Sequence, residues 1–244
     1  MTQPQVDRPA FYALAQGGWR DFVTLLHPPY TAWHLSYVAL GAAAAPTLHV
    51  DRLVAALAAF FLGVGICAHA LDELNGRPLG TGIPDAVLIA LAASSLAGAI
   101  ALGVVGVATI GASLVPFIVV GAFLVVAYNL ELFGGRFHTD FWFAAAWGAF
   151  PPATAYWANA VSVDAAGVLV VLACFGLSVA QRRLSTPVRA LRRRATAVSG
   201  TVTLDDGRQV QLSRESLVAP LDGALRVLAA SVVLLATALV IVRL

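Results

Sequence analysis

Apolar residues along this chain come in long blocks of about twenty, rather than in the alternation of a half-buried strand or the narrow stripe of a soluble amphipathic helix. Seven such blocks are read at 30–46, 51–72, 85–108, 111–131, 140–160, 163–182 and 220–243, each near the length a helix needs to cross a hydrocarbon core. Ahead of them, residues 10–27 set Phe11, Tyr12, Leu14, Trp19, Phe22, Val23 and Leu26 against Arg20 and Asp21. That mixture predicts an amphipathic helix lying in the membrane interface, ended by His27, Pro28 and Pro29. Between the sixth and seventh blocks, residues 200–212 alternate apolar and polar positions around Asp205, Asp206 and Gly207, which predicts a two-stranded hairpin. The expected fold is all-α: a polytopic membrane helix bundle of about seven transmembrane helices, with an N-terminal amphipathic helix and a small cytoplasmic β-hairpin. Its expected divisions are an interfacial segment 1–29, a six-helix membrane core 30–182, a basic loop with the hairpin 183–219, and a C-terminal transmembrane helix 220–244.

Composition agrees with the pattern. With 59% hydrophobic residues, 11% charged residues and a mean hydropathy of +0.83, 244 residues have too little polar surface to coat a soluble globule. The net charge of +2 argues against nucleic acid as a partner. Cys67 and Cys174 fall inside apolar runs, as core thiols do, and do not indicate a disulfide framework. The arginines are unevenly placed. The links after the second, fourth and sixth blocks hold Arg77, Arg136 and a run from Arg182 to Arg214, whereas those after the first, third and fifth hold only Arg52. The positive-inside rule therefore puts the N-terminus and the polar links on the cytoplasmic face, in a bacterial cytoplasmic membrane.

Two polar clusters carry candidate chemistry. His69, Asp72 and Glu73 stand at i, i+3 and i+4, on one side of a helix, with Asn75 and Arg77 just beyond. Asp72 and Glu73 are candidate ligands of Mg2+, and Arg77 can fork onto phosphate oxygens, with Asn75 assisting. The plainer reading is a solvated helix end with a positive-inside arginine. The second cluster runs from Tyr128 through Glu131, Gly134, Gly135, Arg136 and His138 to Asp140, where two glycines allow a tight reversal and Arg136 is brought beside a helix start that favours an anion. Glu131 and Arg136 pairing across a short loop is the plainer alternative. His69, Asp72, His138 and Asp140 together would suit a transition metal. The tract from Arg182 to Arg194 reads as a juxtamembrane segment against anionic headgroups. Trp147, beside Gly148, Pro151 and Pro152, marks a bent, cavity-lining helix.

The order of these features resembles the UbiA superfamily of intramembrane prenyltransferases. Asp72 with Arg77, Pro78, Leu79, Gly80, Thr81 and Gly82 is similar to the end of that family's Asp-rich loop with its Arg-Pro-Leu-x-x-Gly run, and Tyr128 to Gly148 looks like its second conserved region. The resemblance implies transfer of a polyisoprenoid group from its diphosphate to an apolar acceptor. It implies Mg2+ on Asp72 and Glu73, a diphosphate held by Asn75, Arg77 and Arg136, and Tyr128 or His138 as catalytic groups near the acceptor. The chain departs from the family at Ala68-His69, where an acidic pair belongs, and at Gln181-Arg182-Arg183, where a second Asp-rich motif belongs. The other expectation is a UbiA-like lipid-binding or accessory subunit without that chemistry. Either way the expected partners are membrane lipids, an isoprenoid or quinone-like molecule, and a membrane-protein partner or a second copy of the chain.

Overall fold

The structure, a computed structural model, describes residues 8–244; the first seven residues of the expected 1–29 segment lie outside the described residues. Helix α1, Trp19–Leu25, precedes α2, Pro28–Ala44. Helices α3 (Val50–Leu74), α4 (Asp85–Ile110) and α5 (Ala112–Asn129) follow, then α6 (140–160) and α7, Ala165–Arg193. Strands β1, Thr201–Thr203, and β2, Gln209–Gln211, precede α8, Arg214–Arg243. The seven long helices α2 to α8 match the seven apolar blocks in order. Five of them, α3, α4, α5, α7 and α8, are long and apolar enough to cross a membrane, which makes this an integral membrane protein.

Helices α2 and α6 fall outside that set. They lie inside the bundle, where packing rather than lipid decides composition. Trp33 and Tyr37 of α2 are fully buried against Cys174 of α7 and Leu225, Ala229 and Val232 of α8. On its other side α2 meets α6 so closely that a Cβ on Gly41 would fall 2.3 Å from the Pro152 carbonyl oxygen. At that crossing glycine is required by space alone.

Two helices widen into π-helical turns, Phe61–Ala68 in α3 and Ala144–Ala149 in α6. In α6 the sequence supplies the cause. Pro151 and Pro152 have no N–H to return to the preceding turn, so the Trp147 carbonyl is left without a helical donor. The His34 ring of α2 donates to it instead, with Nδ1 2.9 Å from Trp147 O. A backbone group orphaned by proline is thus satisfied by a neighbouring helix, as a dry interior demands.

Three expectations need correction. The basic tract is not a loop: α7 runs on through Pro187 to Arg193, and α8 begins at Arg214 rather than near 220. The hairpin forms with Val202 opposite Val210; a flap over the cytoplasmic mouth is the role its place between the last two helices suggests, but none of its residues lines either of the two cavities described below. Of residues 10–27 only Trp19–Leu25 is helical; Phe11 and Tyr12 turn inward onto Tyr30 instead of lying in lipid. Their rings find edge-to-face partners there, with centroids 6.0 and 5.5 Å from that of Tyr30.

Candidate functional site

The polar helix ends gather at one end of the bundle around a cavity of about 470 Å3. It lies between the starts of α2 and α6, the ends of α3 and α5, and the last three turns of α7, with residues 9–12 across its mouth. Its volume is that of a site for a whole small molecule.

Of the residues expected in the site, Asp72, Asn75, Tyr128 and His138 line this cavity. Tyr128 and His138 stack face to face with centroids 4.5 Å apart, and His138 Nδ1 donates to the Tyr128 carbonyl at 3.0 Å. Asn75 Nδ2 donates to the Asn129 carbonyl at 3.2 Å, tying the end of α3 to the end of α5. Asp72 accepts no hydrogen bond and forms no ion pair among the described residues, while Arg189, Arg193 and His138 stand within electrostatic reach of it.

Glu73, Arg77 and Arg136 are elsewhere. Glu73 is fully buried and turned into its own loop: it accepts from Leu79 N at 3.0 Å, Thr81 N at 2.7 Å and Thr81 Oγ1 at 2.9 Å. Its oxygens are occupied by donors of the fold. Arg77 sits at φ 53°, in the left-handed region, and its guanidinium closes the same loop by donating to Ile83 O at 2.6 Å, to Thr81 O at 3.2 Å and to the carboxylate of Asp85. Arg136 is exposed and lines neither this cavity nor the apolar one beside it. The structure does not bring Arg77 and Arg136 into the cavity that Asp72 and His138 line.

The guanidinium groups facing Asp72 come instead from α7. Arg182, Arg189 and Arg193 stand at i, i+7 and i+11, within about 40° on a helical wheel, and all three line the cavity. Arg182 is held by Asp140 at 2.7 Å and over the Phe143 ring at 5.3 Å. Arg189 and Arg193 have no carboxylate partner among the described residues; Arg189 donates to Thr186 Oγ1 at 3.3 Å and Arg193 to the Pro9 carbonyl at 3.3 Å. Behind this face, Arg192 and Asp222 of α8 pair at 2.5 Å, both nearly buried.

Sequence reasoning also missed an aromatic and imidazole wall at the cavity mouth. His27 stacks on His69 with centroids 4.0 Å apart, and its Nε2 is buried without a partner. Burial first, then the neighbouring His69, Arg193, Arg189 and His34, holds the His27 ring well below its ordinary pKa. Burial also pushes the Tyr12 phenol well above its ordinary value, with Tyr30 adding to the shift.

Beside this polar chamber lies a second cavity of about 350 Å3 between α3, α4, α5 and α6, lined by groups such as Ala59, Phe60, Leu96, Leu124 and Phe150. Val64 and Trp147 belong to the walls of both. The two π-helical turns contribute these shared residues, so the same local widening shapes the junction.

Among the described residues no three His, Cys, Asp or Glu side chains are grouped so as to hold a metal ion. With Glu73 turned into its loop, the expected Asp72–Glu73 pair does not face the polar chamber together; Asp72, Glu131 and Asp222 are the carboxylates that line it, and the His69, Asp72, His138 and Asp140 set is not assembled. No family model, no curated protein and no solved structure matches this chain.

Proposed function

We propose that this protein holds an isoprenoid-type lipid in the membrane, its anionic head in the α7 arginine chamber and its tail in the apolar cavity beside it. One observation carries the reading: a polar chamber with unpaired guanidinium groups shares the wall residues Val64 and Trp147 with a chamber lined almost wholly by apolar groups. A molecule satisfying both must be amphipathic with a negative head, and guanidinium groups in such a setting favour phosphate. The UbiA-like order of helices and polar ends supports an isoprenoid rather than an acyl tail. The positive-inside rule supports a cytoplasmic position for the chamber.

The test is direct. Lipid that co-purifies in mild detergent, identified by mass spectrometry, is expected to include an isoprenoid phosphate, and Arg189→Ala with Arg193→Ala is expected to weaken binding of a labelled prenyl diphosphate at least tenfold. Bulk phospholipid alone, or unchanged binding in the variant, sinks the reading. For sidedness, single cysteines in place of Gly80, Gly135 and Gly200 should all be labelled from the cytoplasmic side, and a label from the other side at any one reverses the assignment.

A second reading, transfer of the polyisoprenoid group, rests on Asp72, whose carboxylate faces the cavity without a partner beside His138. In that reaction the allylic carbon–oxygen bond to diphosphate breaks, the carbon bonds to the acceptor, and the acceptor's proton passes to Asp72 or to His138 Nε2. Asp72→Asn should then abolish diphosphate release while prenyl diphosphate still binds; release at the wild-type rate removes this reading and leaves the binding one.

A further inference from the structure

Three histidines of the head chamber are fixed in one tautomer by their main-chain partners. His34 Nδ1 lies 2.9 Å from Trp147 O, His69 Nδ1 3.0 Å from Gly65 O, and His138 Nδ1 3.0 Å from Tyr128 O. A carbonyl oxygen only accepts, so Nδ1 carries the hydrogen in each, and in the neutral ring Nε2 presents a lone pair. None of these three Nε2 atoms has a protein partner among the described residues, although all three rings line the chamber. Asp72 adds a carboxylate that is likewise unpaired. Two more polar atoms, Tyr128 Oη and Gln181 Oε1, are buried at the chamber wall with no hydrogen-bond partner.

One side of the chamber therefore offers guanidinium donors, and the other offers a row of acceptors contributed by α2, α3 and the link into α6. Phosphate oxygens are acceptors too. They satisfy Arg189 and Arg193, but they bring no hydrogen to an imidazole lone pair and are repelled by Asp72. A bare phosphate or diphosphate also fills little of about 470 Å3. The three Nε2 atoms and the Asp72 carboxylate open onto the chamber, so a ligand that displaces water from them is held best when it carries donors beyond its phosphate.

We infer that the head group is a phosphate ester bearing several hydroxyl groups, a sugar or polyol phosphate. Its phosphate meets Arg189 and Arg193, and its hydroxyls donate to His34, His69 and His138 Nε2 and to Asp72. The inference rests on the reading of the paired cavities as a lipid site. It names the chemistry of the head, which an isoprenoid carrier or a polyol phospholipid would both present.

The experiment uses the full chain in nanodiscs and three probes: a polyprenyl monophosphate, the same polyprenyl chain bearing a phosphate-linked hexose, and phosphatidylinositol. The hexose-bearing lipid is expected to bind at least tenfold tighter than the bare monophosphate. Equal or weaker binding of the hexose-bearing lipid, or binding of none of the three, overturns the inference. Tight binding of phosphatidylinositol with neither isoprenoid bound upholds the polyol head and overturns the isoprenoid tail, so the two readings fail separately. His69→Leu, checked for folding by its melting temperature, should shrink the ratio between the two isoprenoid probes severalfold. An undiminished ratio in a folded variant overturns the assignment of the hydroxyls to the imidazole wall.

Discussion

Replacing Glu73 by glutamine separates a metal ligand from a structural carboxylate. Both Glu73 oxygens accept hydrogen bonds, Oε2 from Leu79 N and Oε1 from Thr81 N and Thr81 Oγ1, inside a side chain with no exposure. Glutamine keeps one oxygen and turns an NH2 toward a main-chain N–H, so one bond becomes donor against donor and two lose their charge assistance. Hydrogen bonds to a charged acceptor contribute about 1.5–3 kcal/mol each, and a buried donor left unsatisfied costs about 1–3 kcal/mol. Loss of one bond and weakening of two gives about 3 kcal/mol for Glu73→Gln, an opening equilibrium raised on the order of a hundredfold. The assay is amide hydrogen exchange across residues 75–84. Leu79 and Thr81 should lose protection on that scale, while the amides of α4 keep theirs. Unchanged protection in Glu73→Gln would falsify the structural role, and a variant that loses only a Mg2+-dependent activity would restore the expectation that Glu73 is a ligand.

Two further outcomes follow from packing and charge. A Cβ at Gly41 would meet the Pro152 backbone at 2.3 Å for oxygen and 2.6 Å for Cα, so Gly41→Ala should cost about 1–3 kcal/mol and Gly41→Val more, read as lowered melting temperature in detergent; a variant as stable as wild type contradicts the close α2–α6 crossing. His27, buried among His69, Arg193, Arg189 and His34, has a folded pKa below its unfolded one, so the unfolded chain binds more protons and stability is lost as pH falls from about 6.5 toward the folded value. The contribution reaches about 1.4 kcal/mol per pH unit for one proton, and His27→Gln should flatten the melting-temperature slope between pH 7 and 5; identical slopes in variant and wild type dispose of His27 as the cause.

The helices were legible because apolar blocks of bilayer length leave few alternatives: a long helix stands at each of the seven blocks, although α7 and α8 overrun theirs and only five are long and apolar enough to span. Which helices face lipid was not. Helices α2 and α6 carry His34, Ser36, Tyr37, Thr154 and Asn159, polar groups satisfied by hydrogen bonds such as His34 to Trp147 O between helices and His49 N to Asn159 Oδ1 at 2.8 Å. Hydropathy also marks the edge of the membrane rather than the end of a helix. The apolar block of α7 stops near Gln181, yet Arg, Leu and Ala are good helix formers and carry it on to Arg193. The site suffered from a similar shortcut. His69, Asp72 and Glu73 do share a side of α3, but Asp72 and Glu73 are about 100° apart, and the loop folds back over Glu73 alone. The signal for the true cationic wall was present in the i, i+7, i+11 spacing of Arg182, Arg189 and Arg193.

That spacing reverses the electrostatic sense of the site. An acidic cluster must recruit cations before it can hold a phosphate, whereas a guanidinium face holds one by itself. The arrangement is unfavourable while nothing is bound, since Arg189 and Arg193 stand at i and i+4, where like charges destabilise a helix by about 0.2–0.5 kcal/mol at a solvated surface and by more away from water. Among the described residues neither is ion-paired: Arg193 donates to the Pro9 carbonyl at the chamber mouth, and Asp72 faces both across the chamber without bonding to either. Asp72 sets one negative charge against these two positive ones, so the proposed anionic ligand would complete the neutralisation. A phosphate-bearing lipid settling on α7 would relieve that repulsion, so it should raise the melting temperature more in wild type than in Arg189→Ala. A neutral lipid of the same tail should raise both alike.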